Sequence, residues 1–477
     1  MPAAIQDRPT AQAARTPLVV RLLVLATFVV ILNETLMINA IPRLMESMHV
    51  TEQAAQWVST AFMLTMAAVI PVTGWFLQRV TTRQGYAIAM GVFLTGTALS
   101  AAAPSFAILL LGRIVQAAGT AVMMPLLMTT LMTVVPEQDR GRVMGNVTLA
   151  ISVAPALGPA VSGLILQLGS WRLLFVTVLP IAGAVTYFGL RQMTNIGEPQ
   201  TGSIDWLSAA LAALGFGGLV YGLSLFGEGN AQLGPSIGIV LAGAATIAIF
   251  VLRQLKLQRT DAPLMDLRTL THRTFALSLT LMCIAFLAMM GSMILLPLYL
   301  QNLRGLSPLE TGLLVMPGGL AMGLLGPTVG KLYDRLGSRP LVLPGSIGMV
   351  AALAGFTQVS ATMPFWQILG LHTVLMLSLA AMFTPIFTLG MGALPPNMYP
   401  HGSSILGTLQ QVAAALGTAL VVTVMSARTG HLVADGATTA TAQLSGMKLA
   451  FLVATALAVI TIVVAAVLPR RTTETAH

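Results

Sequence analysis

Fourteen apolar runs, each eighteen residues or longer, divide this chain between about Leu18 and Leu468. A helix rises 1.5 Å per residue, so each run is long enough to cross the hydrocarbon core of a bilayer, about 30 Å. Lipid offers the backbone no hydrogen-bond partners, which leaves only helices and closed barrels as spanning structures. Barrel strands alternate polar and apolar residues, and these runs do not. The chain therefore reads as an all-α polytopic membrane protein. Composition agrees: 56% of the 477 residues are hydrophobic and 8% charged, against about a quarter charged in soluble domains.

An even number of spans puts both termini on one side, and basic residues fix which side that is. Eighteen of the twenty-four Lys and Arg residues fall on the terminal side. Arg43, Arg172, Arg304, Arg428 and Lys448 fall opposite, and Arg113 lies within a span. Both termini are expected in the cytoplasm, and topology rather than nucleic-acid binding accounts for the net charge of +9. The single cysteine, Cys283, excludes an intrachain disulfide. The six histidines lack metal-ligand spacing, and no phosphate-binding glycine loop suggests ATP hydrolysis. The polar first seventeen residues do not resemble a signal peptide, so the first span is expected to be retained.

One acid and one base violate the apolar pattern. Glu34 lies deep in the first run, 18–41, and Arg113 in the fourth, 106–133. If those runs meet the same surface near Ile41 and Phe106, each residue is seven positions below it, about 10 Å. An intramembrane charge needs a partner, water or a proton. At matched depth the two can share a cavity, either as a structural ion pair or as a proton site sensed by an arginine.

The chain also repeats itself. Gly74 to Arg83 resembles Gly330 to Arg339 at an offset of 256, and Ala156-Leu157-Gly158-Pro159 resembles Ala415-Leu416-Gly417-Thr418 at an offset of 259. Each copy follows or occupies the matching span of its half. Parallel repeats of this kind build rocking transporters with the substrate between two bundles. The expected organisation is a tail (1–17), a six-helix bundle (18–190), a linker with two extra spans at 206–226 and 234–252 and a basic segment (191–273), a second six-helix bundle (274–468), and a tail (469–477). A short surface helix is expected near Pro263 to Leu270.

These residues resemble the fourteen-span drug:proton antiporter branch of the major facilitator superfamily. The loop after span two follows that family's Gly-x-Leu-Ala-Asp-Arg-x-Gly-Arg-Lys pattern through Gly74, Arg79 and Arg83, with Gln78 in the aspartate's place. The second copy keeps Gly330, Asp334, Arg335, Gly337 and Arg339. In the family this loop latches the cytoplasmic side. Arg113 and Gln116 resemble the Arg-x-x-Gln-Gly pattern of span four, although Ala117 follows Gln116 and the glycine is Gly119. Gly158, Pro159 and Gly163 resemble the antiporter motif Gly-Pro-x-x-Gly-Gly of span five, with Ser162 replacing one glycine. Span one usually carries Leu-Asp-x-Thr; here the acid comes one residue later, after Asn33, which turns it about 100° around the helix.

The resemblance implies proton-driven export of lipophilic, cationic or amphipathic molecules across a bacterial cytoplasmic membrane, with no cofactor beyond the proton gradient. Glu34 and Arg113 are the expected coupling pair. Asn33, Met37, Phe62, Met66, Gln116, Met293, Tyr299 and Gln411 are candidate substrate contacts, since methionine adapts to varied apolar shapes and aromatic rings attract cations. Glu310 reads as a solvated helix-start acid and His372 as a satisfied polar residue. A narrow metabolite exporter shares every motif, and an accessory partner stays open. An uptake symporter is disfavoured by Gly158-Pro159. No cluster of nucleophile, base or metal ligands suggests an enzyme.

Overall fold

The computed structural model describes residues 16–470 except 197–198, 201, 203, 228–232 and 261–262. The expected tails therefore lie largely outside the described residues, as does the side chain of Pro159. All regular structure among the described residues is helical. The first group is α1 (Leu18–Leu36), α2 (Ile41–Met48), α3 (Glu52–Arg79), α4 (Thr82–Ala101), α5 (Phe106–Val134), α6 (Arg140–Gln167) and α7 (Arg172–Gln192). A pair follows, α8 (Trp206–Gly227) and α9 (Leu233–Leu257). The last group is α10 (Arg273–Leu298), α11 (Pro308–Leu336), α12 (Arg339–Phe356), α13 (Phe365–Gly392), α14 (Tyr399–Ala434) and α15 (Thr439–Val467).

Among the described residues, thirteen helices are long and apolar enough to cross a membrane. The shortfall from fourteen is α4, which has twenty residues but is diluted by Arg83, Gln84 and several glycines and threonines. Its start is well defined: Thr81 and Gln84 form a reciprocal cap. Ser307 and Glu310 do the same for α11, so Glu310 is committed to capping that helix. Gly337, at φ +82°, ends α11 in a conformation that favours glycine, and its N–H donates to Tyr333 O at 2.8 Å.

Two segments depart from expectation. The first span does not run unbroken to Ile41: α1 stops at Leu36, a 3-10 turn covers Met37–Ala40, and α2 begins anew. Pro42 explains the break, because it has no N–H for the carbonyl one turn back and its ring crowds that carbonyl. The segment around Pro263 to Leu270 is also not a surface helix. It forms a 3-10 turn at Leu267–Thr271 and tucks inward, with Leu264, Met265 and Thr269 buried. Gln254 Oε1 accepts the N–H groups of Leu264 and Met265 at 2.8 and 3.2 Å, which ties the segment to α9.

Within the first group α5 packs on α3, α4 and α1, and α7 on α1 and α4. Within the last, α10 packs on α14, and α13 on α11 and α12. The groups meet chiefly along two crossings, α6 with α11 and α3 with α14, with smaller contacts of α5 with α14 and of α6 with α13. The hairpin α8–α9 is clamped at its base, where Arg253 donates to both oxygens of Asp205 at 2.8 and 2.9 Å. Helix α8 lies against both α3 and α14: Ala67, Val220, Leu223, Ala415 and Ala419 form one buried cluster.

Candidate functional site

The break in α1 builds the first part of the site. Glu34 is in the last turn before the break and is half-buried. Gly158 of α6 packs so closely there that a Cβ would overlap Thr35 Oγ1 at 2.2 Å. Ser162, the serine in the antiporter motif, donates to Leu36 O at 2.7 Å and so satisfies a carbonyl near the break. Gly163 faces open space. The glycine and the serine of the motif thus hold α6 against the backbone that carries the acid.

Arg113 is 1% exposed and is held from three sides. Its Nη1 donates to Gln116 Oε1 at 2.5 Å, its Nε to Val58 O at 3.4 Å, and its guanidinium lies 4.2 Å from the centre of the Phe62 ring. Gln116 Nε2 in turn donates to Thr97 Oγ1 at 2.7 Å. Glu34 and Arg113 lie within electrostatic reach of each other. The charges therefore interact through the field while the guanidinium keeps a neutral hydrogen-bonded frame. Buried charge is tolerated only with such a frame.

The candidate substrate contacts are dispersed. Phe62 and Gln116 belong to the arginine's frame. Asn33 and Met37 are buried beside Glu34, and Asn33 Oδ1 lacks a hydrogen-bond partner. Met66 and Gln411 are half-buried and Met293 is exposed. Tyr299 is not brought to them. It is fully buried in a π-helical turn after α10, with its hydroxyl donating to Ser360 O at 2.7 Å. His372 is buried on α13 against Gly318, with Nδ1 unpartnered.

The second part of the site is the pair of crossings. Gly330 of α11 meets Gly141 of α6: a Cβ on Gly330 would lie 2.1 Å from Gly141 O and 3.1 Å from Arg142 Cα. Next to it, the Asp334 carboxylate accepts the N–H groups of Gly141 and Arg142, both at 2.8 Å. The carboxylate caps the start of α6, where free N–H groups and the helix dipole favour an anion. Gly145 and Gly326 continue the contact one turn on. At the other crossing Gly74 meets the same geometry in looser form, with Pro400 O at 3.1 Å and His401 Cα at 3.2 Å from its Cβ position. Gln78 Nε2 donates to Asn397 O at 3.2 Å, and Ser404 Oγ donates to Ile70 O at 2.7 Å.

The remaining motif residues sit around these crossings. Arg79 stacks on Trp75 at 4.4 Å and donates to Gly202 O at 3.2 Å. The Arg83 N–H donates to Asn195 Oδ1 at 3.3 Å. Arg335 and Arg339 are exposed near the end of α11 and the start of α12. Sequence reading did not find Gly141, Pro400, His401 or Asp266. The first three were recoverable from the 259-residue offset, which maps Gly141 onto Pro400 and Arg142 onto His401. Asp266, whose N–H donates to His401 Nδ1 at 3.4 Å, carries no motif.

Two helical groups meeting at repeat-related crossings, with Arg113 buried and Glu34 half-buried inside one of them, have the architecture of a membrane transporter. The chain belongs to the Major Facilitator Superfamily, which it matches over residues 23–418. It is 38% identical over 442 residues to the MFS-type transporter YcnB of Bacillus subtilis, covering 93% of each chain. It is 36% identical over 422 residues to the lincomycin resistance protein LmrB of Listeria monocytogenes, covering 88% of this chain and 89% of that one. A multidrug resistance protein B homolog of Mycobacterium tuberculosis is 28% identical over 384 residues, or 80% and 71% of the two chains. Among solved structures, the human organic anion transporter MFSD10 superposes with a TM-score of 0.67 at 17% identity, covering 94% of this chain and 100% of that one. The proton:xylose symporter XylE gives 0.63 at 14%, covering 95% and 96%. At those identities the likeness is one of fold.

Proposed function

We infer that this transporter is a proton-coupled antiporter that exports lipophilic, cationic or amphipathic drugs. Its fourteen long helices all span the membrane, α4 included, as two six-helix bundles with α8 and α9 between them. Both termini face the cytoplasm of a bacterial cell, and the two glycine crossings latch the cytoplasmic side. The observation that carries the reading is the position of Glu34, an acid deep in an apolar helix, within electrostatic reach of Arg113 and one residue from the backbone gripped by α6.

Protonation of Glu34 from outside removes its attraction for Arg113. The break in α1 is then free to shift, and α6 shifts with it through Gly158 and Ser162. Seventeen residues along α6, about 26 Å, Gly141 sits in the contact with Gly330. One rigid helix thus joins the proton site to a latch. Release of the proton to the cytoplasm resets the cycle as drug is taken up.

A narrower substrate range is favoured by one finding, that relatives 36% identical over most of the chain are named for resistance to lincomycin. Both readings share the coupling step. The test is transport of a fluorescent lipophilic cation, and separately of lincomycin, in proteoliposomes under an imposed pH gradient, with wild type and Glu34→Gln. Gradient-driven transport is expected in wild type and at least about tenfold less in the mutant, the loss of one interaction worth about 1.4 kcal/mol. A mutant that transports at the full rate would remove Glu34 from the mechanism.

A further inference from the structure

At the end of the protein opposite the two glycine crossings, a cleft of about 510 Å³ opens between α12, α14 and α15. Arg428 of α14 and Lys448 of α15 face it. These are two of the five basic residues that the charge pattern assigns to that side. Thr357 and Gln358, just past the end of α12, and Ser445 add hydroxyl and amide groups. Among the described residues, no carboxylate lines it.

The cations are lightly held. Arg428 makes one long bond, from Nε to Ser445 Oγ at 3.4 Å. Lys448 is the only charged residue of α15, and the stretch that follows it, Leu449 to Val467, is apolar but for Thr455 and Thr461. Below it, Leu449 and Leu452 line the same cleft and are 37% and 54% exposed. The backbones of α14 and α15 are pinned together at the base, where a Cβ on Gly446 would lie 2.5 Å from Met425 O. The cleft is therefore part of a fixed helix crossing, with two cations above and an apolar flank beneath.

An isolated surface lysine near a helix end extends to water. Here two cations, flanking donors and a leucine flank converge from three helices at one end of the helical bundle. We propose that this cleft binds an anionic phospholipid. Its phosphate lies between Arg428 and Lys448, with Gln358 and Ser445 as further donors, and an acyl chain runs along Leu449 and Leu452. The site does not depend on what the protein exports; only its assignment to the outer leaflet rests on the proposed topology.

The experiment is native mass spectrometry of the purified protein with added phosphatidylglycerol, phosphatidylcholine or inorganic phosphate. Three proteins are compared: wild type, Arg428→Gln/Lys448→Gln, and Arg43→Gln/Arg259→Gln, which has the same net charge as the first variant. Each basic residue near an anionic headgroup is worth about fivefold in binding. Phosphatidylglycerol retention is expected to fall about twentyfold in the first variant and to hold in the second, and Arg428→Lys/Lys448→Arg should restore most of it. Should the double variant not fold, Lys448→Gln alone is expected to lose about fivefold. Equal retention of phosphatidylglycerol by both charge-reduced variants would overturn the proposal. So would equal retention of phosphatidylcholine by wild type, or inorganic phosphate competing away the lipid, which would mark a free-anion site.

Discussion

The two crossings between the halves occupy equivalent places in the repeat and are closed by different chemistry. At α6–α11 backbone touches backbone through Gly141 and Gly330, and Asp334 accepts two N–H groups at the start of α6. At α3–α14 the same positions hold Gly74 against Pro400 and His401, about 1 Å looser at the carbonyl. Proline has no N–H, so half of the donor pair that Asp334 uses does not exist there. An aspartate at position 78 would be left short of a donor, and the chain carries Gln78, which donates to the Asn397 carbonyl instead. The lost acid and the lost donor are two sides of one change. His401, standing where Arg142 stands in the other half, receives the Asp266 N–H, so a linker segment completes what the carboxylate does not.

Gly330→Ala should break the tighter crossing most severely. Its Cβ would meet a backbone carbonyl, and overpacking of this kind costs about 2 kcal/mol, a shift of about thirtyfold away from the closed arrangement. Gly74→Ala, with contacts beyond 3 Å, should shift the balance at most about fivefold. Spin-label distances between α6 and α11 and between α3 and α14 would measure both, and a larger effect at Gly74 would sink the contrast. Asp334→Asn comes next, because a neutral amide offers one acceptor oxygen to two donors, and about 1.5 kcal/mol is expected to be lost. Gln78→Asp with Pro400→Gly should install the missing bonds and raise the closed fraction about fivefold, or about 1 kcal/mol, while Gln78→Asp alone should not.

The smallest effect sharpens the same contrast from outside. Asp205 is held at about 2 by its hydrogen bonds to Arg253, from an ordinary value of 3.8. A depressed carboxyl stabilises the fold above its ordinary value, and that contribution is lost as pH falls toward 2. The pair is partly exposed, so the contribution is about 1 kcal/mol at most. Asp205→Asn should lower the melting temperature in detergent slightly at pH 6, with a gap to wild type that narrows toward pH 2. Because α8 rests on α3 and α14, any change in bundle distance should appear at that crossing alone.

Much of the architecture was legible because lipid leaves the backbone few choices: run length and polarity gave the long helices, with ends up to eight residues off, as at the start of α15. The interruptions were not. Pro42 stops α1 five residues early, a local steric effect that hydropathy averages away. Gly96 of α4 and Gly119 of α5 serve the close contact between those two helices rather than lipid. Of the candidate site, Glu34, Arg113, Gln116 and Gly158 stood out as residues that apolar helices do not otherwise need. Val58 contributes only a carbonyl and Thr97 a common hydroxyl, so neither announces itself. Tyr299 looked like a ligand contact because buried and cavity-facing aromatics read alike in sequence, and its partner Ser360 lies in a loop with no pattern.

Helix α8 touches α3 and α14 at once through Val220 and Leu223. A molecule dissolved in the bilayer and drifting sideways toward the protein meets different walls on its two flanks. On one, any gap between α3 and α14 lies behind α8; on the other, the α6–α11 joint is not overlaid by this hairpin. Two-fold repetition in the chain thus yields a body with two unlike flanks, one crossing backed by α8 and the other not.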